Sequence, residues 1–420
     1  MKIKFTIPNK YSTALFLCVV AVCFGVAFGG SFQPMRIALA FFFLCYLPQI
    51  LSCKFDLKKE QPIVLGLSLF MVWIMYGFVS LLWSPSPMAG LMSELMAMSI
   101  GFVSLPLFAF LFRRAENPLT IVRKGWLICL LLLSVVSIFN LVAHIHLPSS
   151  ITPQSVLNRP ESIIRYTSAT FSNINDYGTV IAFIIPYLLW GAMEGQRGRD
   201  KLIYFVAFLL GLLFVIINGQ RLGILVIGFQ VLCFSFLLLR QLRKKHIVAA
   251  IGLVCLAVII LPMDNLLYMV TLRMGDGFFN SLLEALGQGR GMLLMSGLQM
   301  LWQSYGFGIG AGGFEEAIIH MPAYNGTYIN PHNLLVEIFA QYGIFIFAFF
   351  CFWIFSIFIF ALKNKYLSKG ARMAVLTTVI SLPLIGAMQS AALGFTYFWI
   401  FLSCITVISV YKPSSKTAVK

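Results

Sequence analysis

Long apolar runs separated by short polar stretches fill the chain from one end to the other. They lie near 13–30, 35–52, 63–83, 92–112, 124–146, 176–193, 202–217, 222–239, 247–262, 333–362, 372–391 and 393–411. Each is close to the roughly 20 residues that cross a bilayer core as a helix. The runs are continuous rather than alternating, which argues against a β-barrel. The pattern predicts an all-α integral membrane protein of about twelve transmembrane helices, with residues 1–420 forming a single polytopic domain. The run at 333–362 is too long for one straight span and is expected to tilt or to extend past the membrane. The first run could be read as a signal peptide, with Ala27-Phe28-Gly29 as a cleavage site. It is long for that purpose and a second run follows almost at once, so retention as a span is expected.

Composition agrees with the pattern. Only 10% of residues are charged and 60% are hydrophobic, which excludes a soluble domain. The nine cysteines all fall in or beside the apolar runs, with no CxxC spacing, so neither a disulfide framework nor a metal site is expected.

Charge assigns the orientation. With both termini cytoplasmic and the loops alternating, all but six basic residues fall inside, as the positive-inside rule requires. The net charge of +16 is therefore a topology signal and gives no reason to expect nucleic acid as a partner. The six outer basic residues are Arg36, Arg159, Arg165, Arg221, Arg273 and Arg290, with no lysine among them. Arginine makes forked contacts with phosphate and keeps its charge when partly desolvated, so an anionic ligand at the outer face is expected. Arg36 and Arg273 are expected instead to pair with an acid such as Glu161, Asp176, Asp264, Asp276 or Glu284, and Arg159 is open between the two roles.

Two outer segments are long. Residues 147–175 form a polar loop between spans five and six, and residues 263–332 form a large periplasmic loop between spans nine and ten. Within the latter, 290–304 has apolar residues at helical spacing and predicts an amphipathic helix at the interface. The glycines of 306–313 predict a tight turn after it. Gly308, Gly310 and Gly313 match G-x-G-x-x-G, but no strand precedes them, so a dinucleotide site is rejected.

Few residues could carry chemistry. His144 and His146 close span five, where anchoring is expected; His246 lies in a basic inner loop and His320 in the large loop without distinctive context. His332 sits in Asn330-Pro331-His332-Asn333, directly before a long span. Proline fixes the approach to the helix and Asn or His can cap its first turn, so either capping or chemistry is open to His332. Arg221 lies in a short outer turn at the apolar boundary, where an unpartnered charge is costly. Arg290 opens the amphipathic stretch behind Gly287-Gln288-Gly289, a plausible phosphate seat at a helix N-terminus.

Taken in order, these pieces resemble the O-antigen ligase and O-antigen polymerase superfamily of bacterial envelope enzymes. The likeness runs over about 160–350, the expected catalytic region. It comprises Arg165 with F-x-N-x-N-D at 171–176, G-Q-R-L-G at 219–223, Arg290, G-F-G-I-G-A-G-G-F at 306–314, and P-H-N at 331–333 leading into V-E and a turn at Gly343. The family pattern usually has S-R where this chain has Gln220-Arg221, and the arginine is retained.

The resemblance implies a membrane-embedded GT-C glycosyltransferase in the bacterial inner membrane. Its donor is a glycan on undecaprenyl diphosphate, and its acceptor is lipid A–core for a ligase or a growing glycan for a polymerase. Ligase activity in lipopolysaccharide biosynthesis is the leading expectation. Such chemistry needs charge stabilisation on the leaving diphosphate, which arginines supply without a metal or cofactor, and a base for the acceptor hydroxyl. The expected roles are His332 as base, Arg221 and Arg290 on the diphosphate, and Arg165 assisting. A histidine among arginines is expected to stay neutral, as a base must. A transporter of lipid-linked glycan would instead bury ionisable groups near the midplane, and a structural protein would not account for the outer arginines.

Overall fold

The computed structural model describes residues 9–27, 33–147, 166–239, 290–322, 324, 329–389 and 391–413. The described residues are helical, without strands. In chain order the helices are α1 (Lys10–Val20), α2 (Pro34–Leu51), α3 (Gln61–Ser80), α4 (Pro87–Arg114), α5 (Pro118–Ala143), α6 (Ile174–Glu194) and α7 (Gly198–Ile217). There follow α8 (Arg221–Leu239), α9 (Arg290–Gln303), α10 (Phe314–Ile318), α11 (Leu334–Lys363), α12 (Lys369–Gly386) and α13 (Thr396–Ser409). Seven of these, α2 to α7 and α11, are long and apolar enough to cross a membrane, and α1, α8 and α13 are shorter apolar helices. The chain is thus an all-α membrane protein. The ninth predicted run, 247–262, lies outside the described residues, as do Arg159, Arg165, Arg273 and His246.

The two ends of the bundle differ in the way the charge pattern requires. One end gathers the basic loops. There Arg113 pairs with Glu60, Asn9 Nδ2 donates to the Arg114 carbonyl at 3.1 Å, and Ser368 Oγ donates to Glu194 at 2.6 Å. At the opposite end Val26 N–H donates to the Thr170 carbonyl at 2.8 Å and Ala311 N–H to Ser80 Oγ at 3.0 Å. Around the bundle large apolar side chains face outward, among them Leu44, Met71, Val135, Leu232 and Phe345, each more than three-fifths exposed. A lipid-facing surface needs such a belt, because hydrocarbon offers polar groups no partner.

Inside, aromatic packing replaces the hydrophobic drive that lipid does not supply. Phe70 stacks on Phe102 at 3.9 Å between ring centres, and Trp399 meets Phe102 edge-on at 4.6 Å. Trp73 closes the cluster against Trp399 and Tyr342. Trp353 donates to the Pro62 carbonyl at 2.9 Å, so its one polar atom is satisfied.

Two helices depart from straight spans. In α4 a π-helical stretch, Gly90–Leu95, carries the buried Glu94. In α11 the helix breaks at Gly343, with φ 77° and ψ −178°. The sequence predicts tilt or overhang for this overlong run; the break at Gly343 divides it, leaving Leu334 to Tyr342 as a separate segment.

Candidate functional site

The site lies at the end of the bundle opposite the basic loops, and three backbone turns build it. The first turn joins α7 to α8. Gly219 has φ 64°, which turns the chain so that Arg221 becomes the first residue of α8. Asn218 holds this turn to the segment before α6: its Oδ1 accepts from Thr167 N–H at 2.9 Å, and its Nδ2 donates to the Thr167 carbonyl at 2.7 Å. Thr167 Oγ1 donates on to Asn140 Oδ1 at 2.9 Å, and Gln220 Nε2 donates to the Ile174 carbonyl. Asn173 caps α6 by accepting from Asp176 N–H, while Asp176 accepts from Ser172 Oγ and Asn173 Nδ2. The two motifs predicted to act together are therefore joined by hydrogen bonds. Beside them His146 stacks on Tyr166 at 4.3 Å; burial and the neighbouring His144 lower its pKa.

The second turn is the glycine loop after α9. A helix break leaves carbonyls without their usual donors and an N–H without its acceptor. The loop supplies both. Ile309 N–H donates to the Ala340 carbonyl at 2.9 Å, Gly310 N–H to Gln341 at 3.0 Å, and Ile344 N–H to Gly306 at 2.9 Å. On its other side the loop is held by α3 and the residues that follow it. Trp83 Nε1 donates to the Gly308 carbonyl at 3.0 Å, and Ser84 Oγ to Ala311 at 2.8 Å.

The third turn is Pro331-His332-Asn333. Asn333 makes the cap of α11, its Oδ1 accepting from Leu335 N–H at 2.9 Å and Val336 N–H at 3.4 Å. His332 thus does not supply these capping bonds. It stands half-buried in the left-handed region, φ 46°. Both this turn and Arg221 flank the end of α12. A Cβ on Gly386 would meet Leu334 Cβ at 2.7 Å, and one on Gly223 would meet Met388 Cε at 3.1 Å.

At Pro331, the residue before His332, lies a cavity of about 350 Å³, walled also by Arg36, Glu94, Glu315, Glu337 and Phe395. Glu94 accepts from the Tyr342 hydroxyl. Glu337 Oε2 accepts from Ala392 N–H at 2.7 Å and Leu393 N–H at 3.3 Å. Arg36 donates to Thr396 Oγ1 at 3.0 Å and to the Gly394 carbonyl at 3.3 Å. Burial raises the pKa of Glu315.

Of the four residues predicted to do the chemistry, His332 and Arg221 lie at this end of the bundle and Arg290 is the first residue of α9. Arg165 lies outside the described residues, one position before Tyr166. The sequence reading did not gather the residues of the cavity. A carboxylate within an apolar run, such as Glu94 or Glu337, was the signal open to it.

Two comparisons bear out the resemblance. Residues 206–351 match the sequence profile of the family described as O-antigen ligase. The chain is also similar to the teichuronic acid biosynthesis protein TuaE of Bacillus subtilis (strain 168), at 26% identity over 366 residues, covering 84% of this chain and 73% of the relative. The matches support a membrane glycosyltransferase of polysaccharide synthesis.

Proposed function

We propose, on the premise of the O-antigen ligase match over residues 206–351, that this chain moves a glycan from undecaprenyl diphosphate to a sugar hydroxyl at the outer face of the inner membrane. The observation that carries the reading is the shared location of the Arg221 turn and the His332 turn around the end of α12. His332 takes the proton of the acceptor hydroxyl. The acceptor oxygen bonds to C1 of the donor sugar as the bond from C1 to the diphosphate oxygen breaks. The bonding pair leaves with the lipid diphosphate, and its charge is met by Arg221 and Arg290, with Arg165 assisting and no metal required. Both termini are cytoplasmic on this reading, because the basic loops share the far end of the bundle.

The leading acceptor is lipid A–core, making the chain a ligase of lipopolysaccharide biosynthesis. A second reading, a polymerase extending a growing glycan, is favoured by the relative named for teichuronic acid biosynthesis. Glycan profiling of a deletion strain separates them. Long polymer accumulating on undecaprenyl diphosphate supports the ligase, and single repeats on the acceptor support the polymerase. A strain whose lipid-linked glycan stays on the cytoplasmic leaflet would instead point to a transporter and reject the proposal.

A further inference from the structure

The cavity beside Pro331 has no part in the diphosphate chemistry above, and its walls are built for something other than phosphate. Its charged groups are Arg36, Glu94, Glu315 and Glu337, so carboxylates outnumber cations three to one. A diphosphate placed there would find one guanidinium among three carboxyl groups, too few cations to meet its charge. Hydroxyls are a different matter, since a carboxylate accepts several hydrogen bonds and a guanidinium donates.

Glu337 gives the second, independent indication. It is 3% exposed, and both N–H groups that bond it go to Oε2. Its Oε1 takes no hydrogen bond among the described residues, although the side chain lines the cavity. That oxygen is left open toward the cavity, where a ligand hydroxyl or ammonium can donate to it. Glu94 is likewise fixed from behind by Tyr342, and Arg36 by Thr396 and Gly394, so both are held in place before any ligand arrives. Phe395 adds an apolar wall suited to the C–H face of a pyranose. The volume, about 350 Å³, sits at the low end of the roughly 300–1,000 Å³ of small-ligand sites.

We infer that this cavity is the acceptor-sugar subsite, which seats a hydroxyl-rich neutral or amino-bearing sugar ring against Glu337, Glu94 and Arg36 and presents its reacting hydroxyl to His332. The inference rests on the transfer reaction proposed above and adds where the second substrate binds. It also separates the two substrates by charge: arginines for the lipid diphosphate, a carboxylate-rich pocket for the acceptor.

The test uses the full chain in lipid nanodiscs, a repeat-unit glycan linked to undecaprenyl diphosphate as the donor for transfer assays, undecaprenyl diphosphate alone as donor-site binding probe, and a repeat-unit oligosaccharide released from the host's surface polysaccharide as acceptor. In Glu337→Gln the amide oxygen can keep the bonds from Ala392 and Leu393 while an NH₂ replaces the cavity-facing oxygen. Losing a hydrogen bond to a charged group predicts a rise in acceptor KM of about tenfold or more. Undecaprenyl diphosphate affinity should hold within about twofold, because that ligand does not enter the pocket. Ala391→Trp, which adds bulk at an uncharged lining position, should raise acceptor KM in the same way. If acceptor KM is unchanged in both variants, or if both lose undecaprenyl diphosphate affinity in parallel, the subsite is overturned. If wild type binds the oligosaccharide, Ala391→Trp does not, and no transfer occurs from the lipid diphosphate, then the reaction proposed above fails while the sugar pocket stands.

Discussion

Gly308 and Gly343 pack backbone to backbone: a Cβ on Gly308 would stand 2.6 Å from the Gly343 nitrogen. Gly308 has φ 81° and Gly343 φ 77°, so neither conformation suits an L side chain. This contact is what lets the glycine loop reach into the break of α11 and satisfy its carbonyls. Gly308→Ala therefore adds about 1–3 kcal/mol of backbone strain and forces the loop off the helix. The expected outcome is a lower apparent Tm in detergent and loss of glycan transfer. Gly297→Ala, within α9, serves as a contrast. Its new Cβ would meet the movable side chain of Val336 at 2.7 Å, and its φ is not left-handed, so a smaller fall in Tm is expected.

His332 and Asn333 are adjacent and do different things. Asn333 carries the cap of α11, so Asn333→Ala should cost about 1 kcal/mol of stability and reduce activity only as far as the fold loosens. His332→Ala should lower transfer by about 10²–10⁴-fold, the usual contribution of a general base, at unchanged membrane level and unchanged apparent Tm. Transfer assays paired with thermal melts of both variants measure this. Intact transfer in His332→Ala would remove the base assignment.

What could be read from the sequence, and what could not, follows from the range of the interactions involved. The spans were legible because a bilayer imposes apolar length locally, residue after residue. The turn at 218–221 and the cap at 331–333 were legible as motifs for the same reason. The resemblance marked a turn at Gly343, but not what holds it, because the donors from Ile309 and Gly310 meet α11 only in the folded chain. The cavity was still less accessible. Glu94 lies at the start of an apolar run, and its partner Tyr342 is 248 positions away. Arg36 was expected to pair with an acid; it donates to Thr396 and Gly394, and its acidic neighbours in the cavity are Glu94, Glu315 and Glu337. The capping role left open for His332 belongs to its neighbour, a distinction that turns on one residue of backbone conformation.

Glu315 gives a pH dependence with a definite sign. It lies in α10, outside the membrane-spanning helices, and burial raises its pKa above the ordinary carboxylate range. A carboxyl raised in the folded state favours folding while it stays protonated. That contribution is complete below the unfolded pKa and is lost as pH rises through the folded value. Wild type should therefore lose apparent Tm relative to Glu315→Gln as the pH is raised from about 4 toward neutrality. The side chain is about half-exposed to solvent, so the difference should stay under about 1 kcal/mol. Melts of both proteins across that range check the sign, and a wild type that gains Tm relative to Glu315→Gln with rising pH would contradict it.

Arg221 and Asn218 allow binding to be separated from architecture in the donor half of the site. Arg221→Lys keeps a cation at the start of α8 but loses the planar fork that meets a diphosphate at two points. The expected result is a weaker grip on undecaprenyl diphosphate, by about tenfold, with apparent Tm unchanged. Asn218→Ala acts differently, because it strips both partners from the buried Thr167 backbone. Each orphaned group costs about 1–3 kcal/mol, so apparent Tm should fall by several degrees, and donor affinity should fall with it as the turn presenting Arg221 loosens. Asn218→Asp keeps the acceptor for Thr167 N–H but sets a buried carboxylate oxygen against the Thr167 carbonyl, so it should be no more stable than alanine. Isothermal binding of undecaprenyl diphosphate, measured beside the melts, tests the ordering. An Arg221→Lys protein that binds the lipid as wild type does would show that the diphosphate sits elsewhere.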